Sequence, residues 1–288
     1  MRQRPIGTAT RGTTNPNRLR RMDRWIAAIH GPALRRSDFP VAVDLGYGAA
    51  PWTAVELLER LRTAEPRTAV IGVEIDPERV AAAKPYERAG LVFVHGGFEI
   101  PVPPEVLAEG DATRSGGAAR IGGAPRIGGA ARPSLIRAAN VLRQYDEGEV
   151  AGVWRRLCAR LAPDGLLVEG TCDEIGRRHV WVALGPEGPR TVTFATRLGS
   201  LERPSDLAER LPKALIHRNV PGEPVHAFLR DADRAWAAAS PYASLGARQR
   251  WIATARALSA DWPLTDGERR WRQGEITVRW DALRPNCS

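Results

Sequence analysis

Three kinds of residue or segment are scarce in this 288-residue chain: cysteine, lysine and long apolar runs. Its three cysteines, Cys158, Cys172 and Cys287, lie far apart. They make neither a disulfide framework nor a C-x-x-C metal knuckle, and no metal is expected. No run of about 18 apolar residues occurs, which excludes a transmembrane helix and a membrane partner of that kind. The first residues are Arg-rich without an apolar stretch, so no secretory signal is expected and the cytoplasm is the expected compartment. Lysine occurs only as Lys84 and Lys213, so 40 of the 42 basic residues are arginine. That skew, with abundant Ala, Gly and Pro, is what a GC-rich genome produces.

The net charge of +9 invites a nucleic-acid reading, but its distribution matters more than its size. Residues 1–40 hold nine Arg against Asp23 and Asp38, giving +7. Residues 112–133 hold four Arg and no acid, giving +4, so the remainder carries 9 − 11 = −2. The charge therefore sits in an N-terminal arm and in one internal segment. Codon bias and a real anionic partner such as RNA both remain open.

The hydrophobic content of 43% is that of a globular chain. Residues 1–14 are polar and aperiodic, and are expected to be disordered. Asn15-Pro16 then suits a helix start, with Leu19, Met22, Ile26 and Ile29 at helical spacing and Gly31-Pro32 as the expected stop. Val41 to Leu45, Ala69 to Ile75 and Leu91 to Val94 read as short buried strands. Helices are expected over Thr53 to Arg62 and from Pro77 to Lys84. Residues 114–131 read RSGGAA, RIGGAP, RIGGAA, a six-residue repeat too short and too polar to build a core. It is expected to be a disordered surface loop, or else a mobile basic flap. Beyond it lie a helix from Gly148 to Leu161 and a strand from Leu166 to Glu169. A hairpin follows, from His179 to Leu184 and Thr191 to Thr196. Residues 205–262 are mainly helical, and Glu275 to Trp280 is a last strand.

Alternating strands and helices predict an α/β fold: a Rossmann-like, mostly parallel sheet with an antiparallel C-terminal hairpin and a mainly helical C-terminal extension. The expected divisions are an arm and amphipathic helix at 1–40, a core domain at 41–200 and the extension at 201–288.

The sharpest local feature is VDLGYGAAPWT, Val43 to Thr53. A strand delivers Asp44 at its carboxyl end, and Gly46 and Gly48 permit a tight turn and close ligand approach before a helix begins. Pro51 holds the third glycine position of a nicotinamide fingerprint, and no G-K-[ST] of a Walker loop follows. In VIGVEID, Val70 to Asp76, Glu74 ends the second strand, where an acid can accept both hydroxyls of a ribose.

These residues resemble the class I methyltransferases dependent on S-adenosylmethionine. VDLGYGAAPWT is similar to their first motif and GVEIDPERV to the second. AANVLRQYDE, from Ala138 to Glu147, followed by LAPDGLLVEGT, resembles the later region. The resemblance covers about Val41 to Thr171. More narrowly, the chain resembles a bacterial group of that superfamily marked by D-L-G-Y-G, N-V-L-R-Q-Y and LPKALIHRNVPGEPVH. The resemblance implies S-adenosylmethionine as cofactor. Gly46, Tyr47 and Gly48 would line its methionine part, with Asp44 near the amino group. Glu74 would hold the ribose and Ile75 would touch the adenine. Phe98, in GGFE, stands where many members place an acid for the adenine amino group, and Glu99 or a backbone carbonyl could substitute. Asn140 and Val141 would lie beside the transferred methyl. The usual acid before the fourth strand is replaced by PSLIR.

Candidate bases are His95, His179, His217, His226, Tyr145 and Asp173. The absence of D/N/S-P-P-Y/F after the fourth strand argues against amino methylation of DNA bases, and that of a Pro-Cys nucleophile against cytosine C5 chemistry. Of nine tryptophans, six (Trp181, Trp236, Trp251, Trp262, Trp271, Trp280) follow the fifth strand. With Arg248, Arg250, Arg269, Arg270 and Arg272 they could stack bases, or simply form a core under a basic surface. The resemblance names no acceptor: the Arg and Trp content suits RNA, and small molecules and proteins are equally open. A non-catalytic cofactor- or RNA-binding protein on the same fold, and an NAD-linked enzyme, are the alternatives.

Overall fold

The computed structural model describes residues 5–9, 14–104, 106 and 132–286. The six-residue repeat and Cys287 lie outside the described residues. Among the described residues eight strands form one sheet: β1 (Val41–Leu45), β2 (Ala69–Glu74), β3 (Leu91–His95), β4 (Leu135–Ala139), β5 (Leu166–Cys172), β6 (Arg178–Gly185), β7 (Gly188–Thr196) and β8 (Glu275–Arg279). Their order is β3-β2-β1-β4-β5-β6-β7-β8. β1 pairs in parallel with β2 and β4, and β2 with β3, while β6, β7 and β8 pair antiparallel. The expected α/β class, with a parallel half and a C-terminal hairpin, is what the chain adopts. The chain runs outward from β1 to β3 and returns to β4 on the other side of β1. That reversal is a topological switch point, where open α/β sheets bind ligands beyond the strands' carboxyl ends.

Among the described residues the α-helices are α1 (Arg20–Arg36), α2 (Trp52–Arg62), α3 (Pro77–Ala83), α4 (Glu147–Cys158), α5 (Lys213–Ile216), α6 (Pro224–Ala238), α7 (Ala247–Leu258) and α8 (Glu268–Trp271). No helix among the described residues is long and apolar enough to cross a membrane. The chain divides into two compact units, Met1–Ala138 with Arg155–Leu167, and Ala139–Trp154 with Val168–Ser288.

In the first unit every residue of β1 and β2 is buried, as strands covered on both faces must be. α2 covers them with Leu57, Leu58 and Leu61. α1 corrects the sequence expectation: it runs through Gly31 and Pro32 to Arg36 rather than stopping there. Its buried face steps by four, through Met22, Ile26, His30 and Leu34, so Ile29 falls to the side and is 51% exposed. His30 fits that face because its Nε2 bonds the Ser134 carbonyl at 2.7 Å. Asp76 caps α3 by accepting from the Glu78 N–H, and Pro77 takes the first helical position.

Gly72, in mid-β2, marks a close approach. A Cβ there would lie 2.5 Å from the Phe93 ring and 3.1 Å from Tyr47. Gly72→Ala should therefore cost about 1–3 kcal/mol by overpacking, read as a lowered urea midpoint. An unchanged midpoint would mean that the two rings move aside freely.

In the second unit the antiparallel strands carry an aromatic core. Phe194 packs on Phe228, and Trp181, Trp236, Trp251, Trp271 and Trp280 are buried. Arg250 lies 3.9 Å over the Trp236 ring and donates to the Trp236 carbonyl. That stack is therefore part of the chain's own packing, and base stacking on these five rings is set aside. Trp262 is half-buried, its Nε1 3.3 Å from Asp231.

Candidate functional site

The carboxyl end of β1 carries Asp44, Leu45 and the loop Gly46-Tyr47-Gly48. Gly46 and Gly48 have φ of 66° and 86°, the left-handed region that glycine enters without steric cost. The Gly46 N–H donates to the Val73 carbonyl at 2.7 Å, which ties the loop to β2.

Asp44 is 2% exposed. Its carboxylate accepts from Thr53 Oγ1 at 2.7 Å and from Arg137 Nε at 3.0 Å, with Arg137 Nη2 at 2.7 Å from the other oxygen. Arg137, fully buried in β4, also pairs with Asp23 of α1 and donates to the Thr53 carbonyl. Arg60 reaches Asp23 from α2 at 2.6 Å. Burial raises the Asp23 carboxyl above its ordinary range, against the opposing pull of Arg137 and Arg60. Two carboxylates thus meet two guanidinium groups, and the helices on either side of the loop are fastened to the strand beneath it. No sequence motif singles out Arg137 or Asp23. The composition of β4 does carry a signal: an arginine inside the apolar strand LIRAA must find a buried acid.

Glu74, at the end of β2, is 1% exposed. It accepts from the Gly48 N–H at 2.9 Å, the Ile75 N–H at 2.9 Å and the Asp76 N–H at 3.3 Å. One carboxylate therefore joins the second strand end to the glycine loop. The Tyr47 side chain turns away from the loop's open side. Its ring packs edge-on against Phe93 and its hydroxyl donates to the Arg79 carbonyl. Burial, with Glu74 and Asp44 nearby, raises its phenol well above the ordinary value. Only the Tyr47 backbone remains for lining a ligand.

After β3 the chain turns through GGFEI. His95 is exposed and its Nε2 bonds the Ile75 carbonyl at 3.0 Å. Phe98 buries its side chain, and its backbone N–H donates to the Ile6 carbonyl at 2.8 Å. Ile100, a β-branched residue, has φ of 48°, a strained conformation of the kind that clusters at functional loops. The N-terminal arm corrects the expectation of disorder over its described part. Ile6 bonds to this loop through both its N–H and its carbonyl. Thr14 donates to the Tyr47 carbonyl at 3.0 Å.

In the second unit Asn140 follows β4 with φ of 61°. Its N–H donates to the Gly170 carbonyl, and its side-chain oxygen accepts from the Cys172 N–H at 2.9 Å. Val141 is buried. His179 is fully buried edge-on to Trp181, so it cannot meet an acceptor in solution. Tyr145 is buried, His217 is exposed, His226 is half-buried, and Asp173 caps the β5–β6 turn through the Arg177 N–H. Cys158 and Cys172 are buried. Among the described residues no group of three or more His, Cys, Asp or Glu is placed to hold a metal ion.

No family model matches the chain, and no curated protein matches it. Solved structures similar to it include the plantazolicin methyltransferase BamL in complex with a triazolic desmethylPZN analog and SAH. That match has 10% identity and a TM-score of 0.35, over 55% of this chain and 46% of that one. Another is SAM-bound CalS10, an amino pentose methyltransferase from Micromonospora echinaspora, at 19% identity and a TM-score of 0.31, over 61% and 64%. A third is a precorrin-6y C5,15-methyltransferase from Geobacter metallireducens, at 14% identity and a TM-score of 0.29, over 51% and 61%. The chain spans less than half the length of BamL.

Proposed function

We propose that the chain is an S-adenosylmethionine-dependent methyltransferase acting on RNA or a small molecule. The observation that carries this is the Glu74 carboxylate, bonded to the Gly48 N–H beside the switch point of the sheet. A ligand with a ribose and a charged tail would meet the acid and the loop together. The residues fit such a group. An ionised carboxylate offers about four acceptor positions. Backbone N–H groups take three at Glu74, and the Arg79 guanidinium stands 3.8 Å from Oε2 at the fourth, so a ribose hydroxyl would bind the carboxylate in exchange for Arg79. Ile75, half-buried at the same strand end, supports the base assignment.

When bound, the cofactor would supply a methyl already activated on a sulfonium. The chain's own contribution is placement, and well-oriented reactants can account for about 7–11 kcal/mol of barrier. Asp44, held by Arg137 and Thr53, fixes the loop 46–48 and α2 in our reading. Asn140 and Val141 are assigned to the methyl end on the resemblance alone.

Titration with S-adenosylhomocysteine by calorimetry should give saturable binding; no heat at millimolar ligand, with folded protein, would sink the proposal. Glu74→Ala should weaken that binding at least about tenfold, the scale of one hydrogen bond to a charged group. Unchanged affinity would move ribose recognition elsewhere. Binding without methyl transfer across RNA, protein and small-molecule acceptors would favour a non-catalytic cofactor protein.

A further inference from the structure

The loop after β3 offers a donor and an acceptor side by side, and the chain's own N-terminal segment takes both. The Phe98 N–H donates to the Ile6 carbonyl at 2.8 Å. The Ile6 N–H donates to Glu99 Oε2 at 3.0 Å. The other Glu99 oxygen accepts from the Gly97 N–H at 2.8 Å, which fixes the carboxylate in place. The approach is intimate: a Cβ on Gly97 would lie 2.1 Å from the Ile6 carbonyl oxygen.

A peptide unit and an adenine share this hydrogen-bonding pattern. On its base-pairing edge adenine donates from the N6 amino group and accepts at the adjacent ring nitrogen. Ile6 likewise presents one donor and one acceptor to the Phe98 and Glu99 pair. The segment's anchorage is mainly polar. Ile6 is 40% exposed, and residues 7–9 are exposed as well, so little apolar burial holds the segment down.

We propose that residues 5–8 are a displaceable occupant of an adenine subsite, competing with the adenosine part of the cofactor for the Phe98 N–H and the Glu99 carboxylate. This rests on the adenosyl-cofactor assignment. The apparent affinity for a nucleoside ligand is then the intrinsic affinity reduced by the fraction of molecules whose segment is released.

The test uses the full chain carrying Ile6→Pro. Proline removes the N–H that reaches Glu99 and changes no group of the subsite itself. S-adenosylhomocysteine binding is measured by calorimetry, and exchange of the Phe98 amide hydrogen is followed in ligand-free protein. The variant should bind the ligand about ten- to a hundredfold more tightly, the range for a lost hydrogen bond to a carboxylate. Its Phe98 amide should exchange faster. Equal or weaker binding by the variant, with the parent chain still binding, overturns the competition and leaves the cofactor assignment standing. Binding by neither chain at millimolar ligand overturns both.

Discussion

An Arg137→Met chain should lose about 3–5 kcal/mol of stability, the cost of breaking a buried ion pair from one side. Arg137 is fully buried, and so is Asp23; Asp44 is 2% exposed. In the native chain the guanidinium bonds both acids and the Thr53 carbonyl. Methionine fills comparable volume but supplies no donor. Asp44 would keep only the Thr53 hydroxyl, and Asp23 only Arg60. Lysine should not restore the site, because a point charge cannot span two carboxylates and a carbonyl as a planar fork does. Urea denaturation followed by circular dichroism measures the loss. If Arg137→Met keeps the parental midpoint, the network is not what holds α1 and β4 against β1.

The second large effect is a dependence on pH centred on Glu169. This residue sits in the middle of β5, fully buried. Burial pushes its carboxyl from the ordinary 4.5 up to about 8. The Trp154 indole pulls the other way but forms no hydrogen bond of normal geometry with it. The folded chain therefore holds a proton here that the unfolded chain releases near pH 4.5. Between those two values folding takes up a proton, so stability is fully present below pH 4.5 and is lost as pH rises through about 8. Each pH unit well inside that window is worth about 1.4 kcal/mol, and the slope falls off towards each end, so the loss between pH 5 and 8 is about 3.5 kcal/mol in all. Glu169→Gln keeps the shape and removes the titration. The difference in unfolding free energy between parent and variant should grow in the variant's favour from pH 5 to 8. A difference that stays constant would show that Glu169 ionises normally.

Much of this fold is legible in the sequence because each strand is a short buried run closed by a turn, a helix start or a glycine. β1 and α2 fall within a residue of expectation for that reason. The end of α1 is not legible. Proline and glycine signal a stop, yet the i, i+4 face through His30 and Leu34 carries the helix past them. His30 reads as polar in a list of residues and as core once its ring nitrogen meets the Ser134 carbonyl. In the site, Gly46, Gly48 and Glu74 could be found because local geometry places them at strand ends. The turning of Tyr47 could not, since the room for it comes from the missing side chain at Gly72. Arg137 with Asp44, and Ile6 with Glu99, are each separated by 93 residues. No local pattern connects partners so far apart: the pairing of β1 with β4 brings the first two together, and the fold of the N-terminal segment onto the loop after β3 the others.

The pairing of Asp23 with Arg137 has a consequence beyond stability. It pins α1 to the sheet, and the segment that includes Ile6 is covalently joined to α1. That segment's effective concentration at the Phe98 and Glu99 edge is set by chain geometry, on the order of millimolar for a short connection. A rival held in this way cannot be diluted. A nucleoside entering the subsite meets the same competitor at nanomolar protein as at millimolar, and its half-saturation point should be independent of how much protein is present.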